Sequence, residues 1–225
     1  MKIFNHALIM AAGRGLRMMP LTAKKPKAMA KLNGNSLIGH NIYKLSNKIK
    51  NIHITVGYKN SILASHVISK NVSTVINTSK KDNCWWVYNS LLKNLNEPVL
   101  VLTCDNIVDL NLFEILKDYK KLNNPHCMII SINSNKKLNG DYLKVNNKRF
   151  VNSIARNNKS KFYASGIQVL NPKKINNNTK KVDNFYDLWS QLIKKKLLLC
   201  SNIQPEKWCE IDTIKQLKDQ NKKLK

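Results

Sequence analysis

Hydrophobic and polar positions along the chain follow two periods, and the change from one to the other marks the elements. Residues 3–10 are apolar apart from Asn5 and His6, a run suited to a buried strand. Residues 31–35 read as a short strand and turn. After Ser36, a natural helix cap, Leu37, Ile38, Ile42, Tyr43 and Leu45 recur at helical spacing. Residues 51–57 alternate and predict a second strand, 61–68 a helix, and 72–77 a third strand. Residues 83–95 predict a helix with Trp85 and Trp86 in its first turn. Residues 98–103 are apolar on both faces, as a central strand is, and 110–122 return to the helical period. Strands alternating with helices predict a parallel sheet wrapped on both faces, with right-handed crossovers.

The second half changes character. Residues 128–133, 142–145, 151–155 and 162–170 are strand-like, with turns at Asn139-Gly140 and Asn146-Asn147. Residues 185–195 predict a helix, 197–202 a strand, 213–225 a closing helix, and Asn176 to Asn178 a loop. The expected fold is therefore α/β and Rossmann-like: a mixed, mostly parallel sheet with helices on both faces. No linker, repeat or low-complexity block divides residues 1–225, so a single domain is expected.

Composition narrows the picture in three ways. At 225 residues the chain is long enough to bury a sizeable core. Its 39 basic and 13 acidic residues give a net charge of +26, high enough to raise nucleic acid or an anionic surface as a partner. The lysines are spread along the whole chain, however, rather than gathered in a binding arm. The cysteines Cys84, Cys104, Cys127, Cys200 and Cys209 form no C-x-x-C pair, which argues against a zinc site or a disulfide framework. Reduced thiols point to a cytoplasmic setting. The apolar run near the N-terminus is broken by Asn5 and His6 and closely followed by Arg14, unlike a signal peptide. No apolar run reaches the roughly 20 residues of a membrane helix.

The chemistry concentrates in residues 8–27. The first strand runs into Ala11, Ala12, Gly13, Arg14 and Gly15, where the lack of bulk permits a sharp turn and close approach of a ligand to the backbone. Successive free N–H groups in such a turn make an anion-binding concavity. Arg14, Arg17, Lys24, Lys25 and Lys27 follow, with Pro20 and Pro26 stiffening the loop. Bare donors followed by cations suit a polyphosphate. Asp105 lies just past the central strand, at the sheet edge where open parallel sheets bind ligands, and can hold a hard cation or cap the next segment. Asp212, in Trp208-Cys209-Glu210-Ile211-Asp212-Thr213, reads locally as an N-cap or first-turn acid.

The loop as a whole resembles the opening signature of nucleotidyltransferases that make activated sugars and activated phospho-alcohols, A-A-G-x-G-x-R-(hydrophobic)-x-P-L-T-x-x-x-P-K. Ala11, Ala12, Gly13, Gly15, Arg17, Pro20, Leu21, Thr22, Pro26 and Lys27 all fall in register. The resemblance implies a GT-A-like fold, with a nucleotide-binding half at 1–125 and an acceptor-binding, closing half at 126–225. It implies Met10 to Gly15 and Asn83 as nucleotide-binding and Arg17 and Lys27 as catalytic. Asp105 and Asp212 become ligands of Mg²⁺, with Glu210 and Asp109 in reserve. The partners implied are an NTP and a small phosphorylated acceptor, with neither nucleic acid nor membrane. The oligomeric state stays open.

For the acceptor the residues pull two ways. The stretch Asn83-Cys84-Trp85-Trp86 departs from the turn of sugar-specific members and is similar to phosphocholine cytidylyltransferases, where aromatic faces can cage a quaternary ammonium. The segments Gly140-Asp141-Tyr142 and Ser165-Gly166-Ile167 resemble sugar-1-phosphate enzymes instead. Asn106 joins Trp85, Trp86, Gly140, Asp141 and Gly166 as an expected acceptor contact. A sugar-1-phosphate is the first expectation and a phospho-alcohol the second. A non-catalytic binder of nucleotide or nucleic acid is the alternative of another class.

Overall fold

The computed structural model describes residues 2–133, 138–156 and 158–223. In chain order the elements are β1 (Phe4–Met10), β2 (Lys31–Leu32), β3 (Asn35–Ser36), α1 (Leu37–Ser46), β4 (Ile49–Val56), α2 (Asn60–Ile68), β5 (Thr74–Asn77), α3 (Trp85–Asn89), β6 (Val99–Thr103) and β7 (Asn106–Asp109). Then follow α4 (Leu112–Lys121), β8 (Cys127–Asn133), β9 (Asp141–Val145), β10 (Val151–Arg156), β11 (Phe162–Leu170), α5 (Pro172–Asn178), α6 (Phe185–Lys194), β12 (Leu198–Cys200), β13 (Lys207–Glu210) and α7 (Ile214–Lys223). The expected α/β class, a mixed and mostly parallel sheet flanked by helices, is the one observed. No helix among the described residues is long and apolar enough to cross a membrane.

The chain forms two compact units, each drawn from separated stretches. The first comprises Met1–Lys81, Leu102–Asp109 and Lys207–Lys225. Its β1, β4 and β5 run parallel, with Met10 opposite Thr55 and His53 opposite Thr74. The Ser36 hydroxyl accepts from the Gly39 amide at 3.0 Å and starts α1 where a cap was expected. Between β2 and β3, Asn33 and Gly34 both hold positive φ, the backbone of a tight hairpin turn. Two short strands close the unit: β7 and β13 pair antiparallel, with Asn106 opposite Glu210. Ile211 and Leu217 then bury themselves with Met18, Ala30, Leu32 and Leu37. Roughly 1.5–3 kcal/mol for each fully buried aliphatic side chain ties this C-terminal segment to the glycine-loop segment.

The second unit comprises Asp82–Val101 and Leu110–Glu206. Here β9, β10 and β11 are joined by antiparallel pairings, β11 pairs antiparallel with β8, and β12 lies parallel to β8. Asp118, buried on α4, accepts hydrogen bonds from the two terminal guanidinium nitrogens of Arg149 and from the Ser201 hydroxyl. A carboxylate this buried is retained because all its partners are charged or hydrogen-bonded.

Several boundaries differ from the sequence reading. The helix expected over 83–95 stops at Asn89, because Ser90 is extended and its hydroxyl caps a separate 3-10 turn at Leu91–Asn94. Asn176 to Asn178 is not a loop but the end of α5, which the Asn171 side chain caps and Pro172 opens. The closing helix starts at Ile214 and is described to Lys223; Leu224 and Lys225 lie outside the described residues.

Within the first unit His6 stacks on buried His53, with ring centroids 5.3 Å apart and ring nitrogens 3.0 Å apart. The second His53 nitrogen meets Thr74 Oγ1 at 2.7 Å. Burial, and then the neighbouring His6, push the His53 pKa down from 6.5 to about 4. The unfolded chain therefore takes up this proton first. The His53 contribution to folding stability should fall by on the order of 3 kcal/mol as pH drops from about 7 towards 4 and level off below. Chemical denaturation across that range should show the native chain losing more stability than His53→Phe; an equal change in the two would contradict the assignment.

Candidate active site

The first unit gathers the candidate residues around the end of β1. Ala11 N–H donates to Thr55 Oγ1 at 3.2 Å, and the Ala12 carbonyl accepts from the Tyr58 amide at 2.9 Å. Gly57 allows that approach, since a Cβ there would sit 2.7 Å from the Ala12 oxygen. The Met10 carbonyl accepts from Cys104 N–H at 3.0 Å, which sets Asp105 beside the glycine turn. Gly13 and Arg14 are exposed. Gly15 is left-handed, at φ 66°, and a Cβ added to it would lie 2.7 Å from Lys27 Cβ. The loop after it is held from within: buried Thr22 donates to the Gly15 carbonyl at 3.0 Å, and Met18 is buried.

Lys27 is only 8% exposed. Its ammonium donates to Asp105 Oδ2 at 2.5 Å and to Asp212 Oδ1. Arg17, with its side chain 57% exposed, pairs with the other Asp212 oxygen at 2.7 Å. Two aspartates far apart in sequence meet here because of the β7–β13 pairing. Ile211 N–H donates to the Asp105 carbonyl at 3.0 Å, one step beyond the Asn106–Glu210 register. Asp212 does not cap the last helix. The Thr213 hydroxyl accepts from the Gln216 amide at 3.2 Å, and the Gln216 side chain reaches back to the Asp212 and Thr213 amides. That arrangement is a capping box and leaves the Asp212 carboxylate for Lys27 and Arg17.

Glu210 joins the pair. One oxygen from each of Asp105, Glu210 and Asp212 lies within 4.8 Å of the other two. Burial, then the nearby Asp212 and Asp105, push the Glu210 pKa up to about 7. Burial opposes the Lys27 charge, but Asp105 and Asp212 more than offset it and hold its pKa above the ordinary lysine value. Asp105 Oδ1 is buried with no hydrogen-bond partner among the described residues. A buried carboxylate oxygen in that condition, within an all-oxygen donor set, fits a hard divalent cation. Asp109 stands apart, paired with Lys44 at 2.5 Å. Asn106 is buried, its amide turned to Thr103 Oγ1 at 2.8 Å.

The other expected residues belong to the second unit. Asn83 Oδ1 accepts from Phe185 N–H at 2.9 Å and so anchors the start of α6. Trp85 is half-buried, whereas Trp86 is 1% exposed, with its indole nitrogen unpartnered among the described residues. A side chain at Gly140 would collide with the Tyr163 ring, its Cβ 2.2 Å from the hydroxyl. Gly166 has φ 77° where the β11–β8 register shifts. Asp141 Oδ1 accepts from the Tyr186 hydroxyl at 2.5 Å. Tyr186 itself meets Trp189 edge-on, and Trp189 stacks on Phe185. The sequence reading missed Tyr186 and Trp189. Three aromatic residues within five positions at the start of an amphipathic helix were the available signal.

A mixed, largely parallel sheet with a glycine turn, an invading lysine and acidic side chains at the strand ends defines a class of nucleotide-handling fold. Residues 6–225 match the nucleotidyl transferase family, and the chain belongs to it. Over 116 residues it is 28% identical to the UTP–glucose-1-phosphate uridylyltransferase AglF of Haloferax volcanii, covering 50% of this chain and 48% of that one. Over 112 residues it is 29% identical to the bifunctional protein GlmU of Methanococcus aeolicus, covering 50% of this chain and 27% of that one. The matched stretches thus span half or less of these relatives. Among solved structures, the CTP:phosphocholine cytidylyltransferase of Streptococcus pneumoniae superposes with a TM-score of 0.76 at 24% identity, covering 98% of this chain and 99% of that one. HddC from Yersinia pseudotuberculosis superposes with a TM-score of 0.79 at 16% identity, covering 98% and 100%. At those identities the likeness is one of fold.

The two glycines of the turn should differ in what they tolerate. Gly15→Ala forces a left-handed alanine against the Lys27 stem and should cost about 1–3 kcal/mol, read as a lower thermal midpoint. Gly13→Ala meets nothing within 4 Å and should leave the midpoint almost unchanged. Equal midpoints for the two variants would contradict the packing described.

Proposed function

We propose that the chain is a nucleotidyltransferase that joins an NTP to a small phosphorylated acceptor, most simply a sugar-1-phosphate, with release of pyrophosphate. The observation that carries this reading is the Lys27 ammonium, buried against the glycine turn and shared by two aspartates. The amides of residues 12–15 would receive the triphosphate. An acceptor phosphate oxygen would attack the α-phosphorus, and pyrophosphate would leave opposite it. That nucleophile is already ionised, so the chain needs no general base for it. Lys27 and Arg17 would neutralise charge on the phosphates, and the loop would fix their positions. Asp105 and Asp212, with Glu210, would hold Mg²⁺, which supplies further charge stabilisation when bound.

The acceptor would be met by Asp141 and Gly166, the first through hydroxyl hydrogen bonds and the second through close backbone approach. A second reading rests on one observation: exposed Tyr186 lies beside both Trp189 and the Asp141 carboxylate, and aromatic faces next to a carboxylate suit a quaternary ammonium. Phosphocholine, or another phospho-alcohol, is the acceptor under that reading. The +26 charge alone would favour a nucleic-acid binder. The acidic trio at the centre of the site supports a metal–nucleotide reading instead.

Pyrophosphate release, measured with magnesium across four NTPs against hexose-1-phosphates and phosphocholine, should be fastest with a hexose-1-phosphate. An active CTP–phosphocholine pair with inert sugars would overturn the choice of acceptor. With the active pair in hand, Lys27→Ala and Asp105→Asn should each lower kcat by about 10²-fold or more. Near-normal turnover in either would contradict the roles assigned.

A further inference from the structure

The cations of this site occupy the place that the divalent ion is expected to take. Lys27 bridges Asp105 and Asp212, and Arg17 holds the remaining Asp212 oxygen. Together they neutralise both aspartates. Lys27 is buried, so water screens these contacts poorly, and a charge-assisted pair in such a setting is strong. We propose that Lys27 is the resident cation of the carboxylate trio, so that a divalent ion enters by exchange with it and not by filling an open site. The inference rests on the nucleotidyltransferase reading and concerns how that same site is regulated.

A further observation supports it. The Lys27 stem lies directly against Gly15, within the turn that would receive the triphosphate. Phosphate charge arriving at that turn would attract the Lys27 ammonium on its flexible four-carbon stem, and exposed Arg17 with it. Asp105 and Asp212 would then lose both partners together and become strong ligands. Ion and triphosphate therefore bind as a pair, and the ion alone binds weakly.

The proposal makes a prediction that a purely catalytic lysine does not: removing Lys27 should strengthen metal binding. Mn²⁺ alone is titrated into the full chain at about pH 8, above the carboxylate range and below that of lysine, and free Mn²⁺ is read by electron paramagnetic resonance. Lys27→Met should bind Mn²⁺ about 10-fold more tightly than the native chain, roughly the effect of removing one nearby charge. Lys27→Arg, which keeps the charge, should show no gain. Adding Asp105→Asn to Lys27→Met should abolish the gain and so locate it. Equal or weaker binding by Lys27→Met would overturn the exchange.

Should Lys27→Met fail to fold by circular dichroism, Arg17→Gln replaces it, because the Arg17 side chain is largely exposed. It should bind Mn²⁺ about 3-fold more tightly, and unchanged affinity there would overturn the exchange as well. Mn²⁺ bound at Asp105 in the native chain, without a gain on removing Lys27, sinks the exchange and leaves the nucleotidyltransferase reading standing. Absence of any Mn²⁺ bound through Asp105 or Asp212, in every variant, sinks both.

Discussion

A buried ammonium shared by two carboxylates is the constraint around which the first unit is arranged. Lys27 is separated from Asp105 by 78 positions and from Asp212 by 185, so the contact exists only if three remote stretches converge. Each stretch is delivered by ordinary means. Cys104 N–H donates to the Met10 carbonyl at the end of β1, the β7–β13 register carries residues 210–212 alongside Asp105, and a left-handed Gly15 leaves room for the Lys27 stem. Burying a lysine without partners would be costly, and so would burying Asp212 beside the partly buried Asp105 without a cation. Each group therefore offsets the cost of burying the others.

The same arrangement explains why Glu210 and Asp105 behave unusually. Three carboxyl groups in close proximity repel one another, and one resident ammonium with one exposed guanidinium does not satisfy every oxygen. Burial, then Asp212 and Asp105, push the Glu210 pKa up to about 7, and one buried Asp105 oxygen has no partner among the described residues. An oxygen left in that condition is one that a cation taking the place of Lys27 would meet, as proposed above. Perturbed groups of this kind collect where a fold has kept chemistry at some expense to its stability.

Much of this was readable from the chain, and the exceptions have physical causes. The glycine turn announces itself because few residues other than glycine can stand where Gly15 does, and the loop's prolines and cations follow in fixed order. The central strand, α1 and the Ser36 cap are likewise local matters of period and hydrogen bonding. The pairing of β7 with β13 is not, since two four-residue strands far apart in sequence carry no periodic signal strong enough to match them. Without that pairing Asp212 looks like a helix cap, a role that Thr213 and Gln216 in fact perform. Trp85 and Trp86 are neighbours in sequence, yet only one is buried to the core, because a short helix turns adjacent side chains in different directions. Tyr186 and its contact with Asp141 were missed because that contact joins β9 to α6 across 45 positions.

On the reading proposed above, Asp105, Glu210 and Asp212 receive a metal ion together with a triphosphate. Anomalous diffraction at the manganese edge, from crystals grown with Mn²⁺ and tripolyphosphate, tests it most directly. A manganese peak is expected at ordinary oxygen-ligand distance from Asp105 and Asp212, with the Lys27 ammonium moved onto phosphate oxygen. Manganese bound elsewhere, or Lys27 still bridging the two aspartates with both ligands present, would contradict it.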